Sequence, residues 1–137
     1  MGPLRITSTA TILMAVILMS SACDRSRSEK YARLIEQSAA WASAGTYSEE
    51  LRQRRYVPDA YVRDLVAAGS LETGQLQRPL NESRDVPPAV RDRAGALNDQ
   101  VRQQFDNAAH TGLLDAGRLR QLHMALRALA DSVRAAR

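Results

Sequence analysis

Few groups in the sequence have the chemistry to act as more than structural side chains. There is one cysteine (Cys23), two histidines (His110 and His123) and a single lysine, Lys30. The histidines lie on separate segments and lack the i, i+4 spacing on one helix by which a zinc site is usually built, so no metal is expected. Lys30 has Arg27 three places before it, so there is no Ser-x-x-Lys nucleophile pair. Glu49 and Glu50 are sequence neighbours, and on a helix they point about 100° apart, which does not make a general acid and base. No Gly-rich phosphate loop is present. The residue set therefore predicts a protein that is not an enzyme and needs no cofactor.

Two arginine groupings are better suited to binding. The first is Arg52-Gln53-Arg54-Arg55-Tyr56, three guanidinium groups beside an aromatic ring. In the second, Arg120, Arg127 and Arg134 recur every seven residues and so align along one helix face. Planar guanidinium groups can form bidentate contacts with carboxylates, so Arg52, Arg54, Arg55, Arg120, Arg127 and Arg134 are the candidate contacts for an acidic protein partner. Net charge is only +4, and eighteen of the nineteen basic residues are Arg. So mild a basicity, with no nucleic-acid motif, does not predict nucleic-acid binding.

Cys23 has the most specific context. Thirteen of the first twenty-two residues are hydrophobic, with Arg5 as the only charge before Asp24 and an uninterrupted run from Ile12 to Met19. A charged start, a short apolar stretch and then small residues are the parts of a secretory signal peptide. A membrane-spanning anchor would need about 18 to 20 apolar residues, and Thr and Ser interrupt the stretch from Ile6 to Ala22. Ser20-Ser21-Ala22-Cys23 resembles the lipobox of bacterial lipoproteins, with Ser20 where that family generally carries Leu. The resemblance covers about the first 24 residues. It implies cleavage before Cys23, lipid attachment there and anchoring to a membrane. Asp24 resembles the inner-membrane retention signal of enteric-type lipoproteins, so the periplasmic face of the inner membrane is favoured over the outer membrane.

These groups must be positioned by elements that the apolar spacing predicts. Residues 1–22 form the signal peptide and 23–28 a lipidated cysteine with a short tether, reaching about 15 to 20 Å if extended. Ser28 is a cap for a helix carrying Tyr31, Leu34, Ile35, Ala39 and Ala42, stopped at Gly45. Thr46-x-x-Glu49 reads as a capping box for a short second helix. Pro58-Asp59 opens another, with Tyr61, Val62, Leu65 and Val66 on one face, stopped at Gly69. Residues 29–68 thus form N-terminal helices, and 69–86, punctuated by Gly, Pro, Asn and Ser, a connector.

Residues 87–137 predict a long antiparallel helical hairpin. Val90, Ala94, Leu97, Val101, Phe105 and Ala108 mark its first helix; Leu119, Leu122, Leu126, Leu129 and Val133, after an Asp115 cap, mark its second. Its seam is expected to be the main source of stability. β-branched residues are few after residue 23, so the fold class is all-α: a small helical bundle, one domain over 29–137, behind a signal peptide. The function expected is a lipid-anchored cell-envelope protein acting by protein–protein contact. In architecture only, it is similar to secretion-system pilotins, assembly accessories and immunity or inhibitor proteins. The alternative is a structural envelope lipoprotein that contacts the cell wall or forms a homodimer through its C-terminal helices.

Overall fold

In a computed structural model, the backbone is described for residues 6–136 and the side chains for 23–136; the signal peptide expected over 1–22 lies outside the residues whose side chains are described. The described chain is all-α, with four helices: α1 Ile6–Gln53, α2 Asp59–Glu82, α3 Pro88–Thr111 and α4 Ala116–Ala135. Short connections make consecutive helices antiparallel neighbours. α4 packs most extensively on α1 and α3 on α2, closing a four-helix ring in which α1 also touches α3 across the middle. The expected hairpin helices α3 and α4 are present. Their mutual seam is nevertheless one of the lesser contacts, so the bundle is two tightly packed pairs, α1 with α4 and α2 with α3.

Both N-terminal boundaries differ from expectation for one reason. Along α1 the inward positions are Tyr31, Ile35, Ser38, Ala42, Gly45 and Glu49, and along α2 they are Val62, Val66, Gly69, Thr73, Leu76 and Leu80. Each series keeps alternating steps of four and three, the spacing of a continuous buried stripe. Gly, Ser, Thr and Glu hold some of these positions, which makes α1 look like two helices and α2 like a helix followed by a connector. Gly45 and Gly69 do not stop their helices, and the connector shrinks from 69–86 to the few residues between Glu82 and Pro88.

The capping box is likewise absent: Thr46 Oγ1 donates back to the Ala42 carbonyl at 3.0 Å within α1. Ser28 does not cap either; its Oγ donates to the Asp24 carbonyl at 3.0 Å. Residues 24–28 are helical, and at 1.5 Å per residue they span about 8 Å, half or less of an extended tether. Tyr61, expected on the buried face, is half exposed. Asp115 caps α4 as expected, accepting from the Arg118 N–H at 3.0 Å.

Two of the helix-interior glycines, Gly45 and Gly69, make room for the only phenylalanine. Phe105 on α3 is fully buried, and Trp41 meets it edge-on, with ring centroids 6.2 Å apart and planes at 89°. A Cβ at Gly69 would stand 2.7 to 2.8 Å from three atoms of the Phe105 ring; one at Gly45 would stand 2.8 Å from Leu119 Cδ1 and 3.2 Å from Phe105 Cζ. Glycine costs a helix interior about 1 kcal/mol relative to alanine, a cost that burial of an aromatic ring, worth about 1.5 to 3 kcal/mol, offsets.

Polar contacts set the register of the α2–α3 pair and join α1 to α2. Between α2 and α3, buried Asn98 donates through Nδ2 to the Thr73 carbonyl at 2.9 Å and to Gln77 Oε1 at 2.8 Å, while Gln77 Nε2 donates to the Gly95 carbonyl at 3.0 Å. Tyr31 Oη donates at 2.8 Å to the Leu80 carbonyl in the last turn of α2. That carbonyl lies among the four that a helix leaves unpaired at its end, so the tyrosine acts as a cap delivered from another helix. Burial pushes the Tyr31 phenol up to about 12.

Gly69→Ala puts a better helix former into α2, yet it is expected to destabilise the fold by about 1 to 3 kcal/mol through overpacking against Phe105. Adding Phe105→Leu to that variant should recover part of the loss, although Phe105→Leu alone destabilises. Urea denaturation of the four forms checks this; a stabilised Gly69→Ala single variant would show that the ring does not require the glycine.

Candidate functional site

The candidate residues fall into three groups. The first, Arg120, Arg127 and Arg134, lies along the α1–α4 seam. There Arg120 pairs with Glu50, Arg127 Nη1 lies 3.2 Å from Glu36 Oε1, and Arg134 reaches Glu29 at 3.1 Å and Glu36 at 2.6 Å. Their carboxylate partners lie in the chain itself, at Glu29, Glu36 and Glu50, positions that share the seven-residue register. Hydrogen bonding to Arg134 holds the Glu36 carboxyl below its ordinary value and raises the Arg134 guanidinium. His123, beside this row, donates from Nδ1 to the Ala39 carbonyl at 2.9 Å and is a further α4-to-α1 link. These arginines join helices, rather than forming the open basic face that their spacing alone predicts.

The second group is Cys23 with Asp24. Both are exposed at one end of the bundle, where the start of the described α1 side chains meets the α2–α3 connection and the end of α4. A groove of ≈ 690 Å³ at this end is lined by Arg25, Val86, Pro87, Val90 and Val133, among others.

The third group, Arg52, Arg54 and Arg55, is at the opposite end and is divided by the structure. Arg52 turns inward to Glu49, a carboxylate that is 2 % exposed. Arg52 Nε is 3.0 Å from Glu49 Oε2, with a second guanidinium contact to Oε1, and Gln53 Nε2 is 3.4 Å from Oε1. The backbone N–H of Leu114, in the α3–α4 loop, also donates to Glu49. Arg52 further reaches Asp59 at the start of α2, 3.8 Å away. One buried carboxylate and its arginine thereby tie the end of α1 to the loop before α4 and to the first turn of α2. Hydrogen bonding from Arg52 holds the Glu49 carboxyl below its ordinary value, outweighing the opposing effect of burial.

Arg54 and Arg55 point outward and have no ion-pair partner among the described residues. Arg55 has φ 60°, in the left-handed region. Its N–H donates to the Arg52 carbonyl at 3.0 Å, and the Tyr56 N–H donates to the Leu51 carbonyl at 2.9 Å. This pair of bonds is a Schellman termination, a motif that ordinarily places glycine where Arg55 stands. α3 uses that choice: Gly112 follows it with φ 76°. At Arg55 a charged, β-carbon-bearing residue occupies the strained position instead.

Around Arg55 the surface is aromatic and apolar as well as basic. Tyr56 is 73 % exposed, Tyr61 50 % and Leu113 58 %. A cleft of ≈ 430 Å³ between α2 and the end of α3 is lined by Arg52, Asp59, Val62, Arg63, Val66 and Leu113, among others, and a second of ≈ 550 Å³ by Arg52, Arg55, Tyr56, Val57, Pro58 and Asp59. Arg52 and Asp59 border both. Arg63 and Leu113 were not singled out from sequence, and Val62 was named only on the packing face of its helix; the spacing Asp59, Val62, Arg63, Val66 on one helical face was the available signal.

No group of His, Cys, Asp and Glu among the described residues could hold a metal ion. His110 is exposed, its Nδ1 donating to the Asp106 carbonyl at 2.9 Å. No helix among the described residues is long and apolar enough to cross a membrane. No protein-family profile matches the chain, and no curated protein or solved structure is similar enough to it to indicate common descent.

Three stability outcomes follow from this end of the bundle. Arg52→Ala strands a buried carboxylate and is expected to cost about 2 kcal/mol, while Arg54→Ala, with no partner to lose, costs little. Because the folded Glu49 carboxyl lies below its ordinary value, its contribution is present above that ordinary value and is lost as pH falls through the folded one. Glu49→Gln should therefore flatten the acid limb of a stability profile measured by urea denaturation between pH 3 and 7. Arg55→Gly, by contrast, relieves a left-handed side chain and should stabilise the fold by about 1 kcal/mol.

Proposed function

We propose that the chain is a lipid-anchored helical protein of the cell envelope, exported and tethered through Cys23, which works by protein–protein contact at the far end of its bundle. The observation that carries this reading is the separation of two unlike ends. Cys23 is exposed where the described side chains of α1 begin. Two unpaired arginines, Arg54 and Arg55, and the exposed Tyr56 ring sit where α1 stops, about 45 Å away at 1.5 Å per residue. A protein held at one end and furnished for contact at the other suits an adaptor. Self-association through the C-terminal helices has less support, because the Leu119, Leu122 and Leu126 stripe of α4 is buried inside the bundle.

The anchor is tested by feeding labelled palmitate to cells expressing the full chain. Label is expected in the wild type and not in Cys23→Ser, and the wild type is expected in the membrane fraction. An unlabelled wild type would overturn the lipoprotein reading. For the contact function, crosslinking from membranes is expected to join the chain to a defined protein through residues 52–63; crosslinks to further copies of itself alone would favour the homodimer.

A further inference from the structure

The arginine-and-tyrosine end of the bundle has a more specific chemistry than a generally sticky surface. Its carboxylates are already engaged: Glu49 and Asp59 by Arg52, and Glu50 by Arg120. Asp115 is engaged as the cap of α4. Arg54, Arg55 and Arg63 have no carboxylate partner among the described residues, and all three are exposed. Asp64 is also exposed, but it does not line the cleft and lies about 100° around α2 from Arg63. The free charge facing the clefts is therefore positive. Between Arg63 and Leu113 the lining includes apolar groups of Val62, Val66, Ala67 and Ala108.

We infer that these adjoining clefts form a docking site for an acidic protein segment that carries aliphatic or aromatic side chains. Its carboxylates would meet Arg55 and Arg63, and an apolar side chain would enter the cleft beside Val62 and Leu113. Arginine suits such an occupant because its planar fork can make paired hydrogen bonds to a carboxylate and its face can stack on a ring such as Tyr56 or Tyr61. The strained backbone at Arg55 supports the same assignment. Glycine would terminate α1 at lower cost, so the arginine contributes something other than stability of the helix end. A bilayer surface is the less suited occupant, because the proposed lipid attachment is at the opposite end of the rod.

This inference rests on the adaptor reading and names the surface and the chemistry of its partner. The test uses the full chain in a non-ionic detergent and four fluorescein-labelled octapeptides. One contains Asp, Glu and two Leu; the others replace its leucines by serine, its acids by asparagine, or its acids by lysine. The acidic, leucine-bearing peptide is expected to bind at least tenfold more tightly than the other three, and less tightly as NaCl is raised. R55E and R63E should each weaken it at least fivefold without lowering the melting temperature, whereas R78E, near the other end of α2, should leave it unchanged. Equal binding of the serine peptide, or full binding by R55E and R63E, would overturn the inference. So would binding to phosphatidylglycerol vesicles that R55E and R63E abolish while no peptide binds. Peptide binding reports on the cleft and palmitate label on Cys23, so failure of one leaves the other standing.

Discussion

The bundle is organised around the Phe105 ring, which has to fit between two helices that give up their side chains to admit it. Gly69 and Gly45 approach the ring so closely that a single added methyl would lie within about 3 Å of it or of its neighbour Leu119. Interiors packed to crystal-like density respond to one methylene, so this contact constrains how near α1 and α2 may come to α3. The rest follows from that spacing. Trp41 closes the ring's edge, and Thr73 Oγ1 bonds back to the Gly69 carbonyl at 2.6 Å, anchoring its side chain within the same turn. The helices must also run uninterrupted past both glycines, because the turns around them form the slot.

Apolar contact alone would leave the register of α1 against α4 weakly specified, since much of the facing surface is Ala and Leu. The arginine row removes that ambiguity. Arg134 sits between Glu29 and Glu36, one heptad apart on α1, and Arg127 shares Glu36 with it. Exposed ion pairs add little stability individually. Their stronger effect is on alternatives: sliding α4 along α1 would separate these charges from their partners. Placing positive charge near the end of α4 also complements that helix's dipole.

All-α architecture and the positions of α3 and α4 were legible because Leu97, Val101, Phe105 and the leucines of α4 are large and regularly spaced. The lengths of α1 and α2 were not, because glycine has two opposite meanings. At Gly112 it ends a helix with a positive φ, and at Gly69 it makes room for a ring; only a partner distant in sequence distinguishes them. Arg120, Arg127 and Arg134 were visible as a row, and the matching Glu29, Glu36 and Glu50 were equally present in the sequence. Their pairing depends on α1 lying beside α4, a fact of topology. At the far end, Arg52, Arg54 and Arg55 read as one basic cluster, and the left-handed turn separates them. It leaves Arg52 directed at a buried glutamate and Arg54 and Arg55 in solvent.

That separation is also what makes one end of the molecule usable. Were all three arginines internally paired, as the α4 row is, the tip would be electrostatically closed; were all three free, Glu49 would be a buried charge without compensation. Arg52 meets the internal demand by joining Glu49 to Asp59. With the Leu114 N–H on the same carboxylate, the loop, the end of α1 and the start of α2 become one rigid platform. Arg55, in the left-handed turn that ends α1, and Arg63, on α2, flank these bonds, and whatever order the bonds impose lowers the ordering cost of any contact the two arginines make. The continuous α1 connects this platform to the Cys23 end without a break. A contact made at the tip is therefore held at a set distance and orientation from the point where the chain is proposed to be anchored.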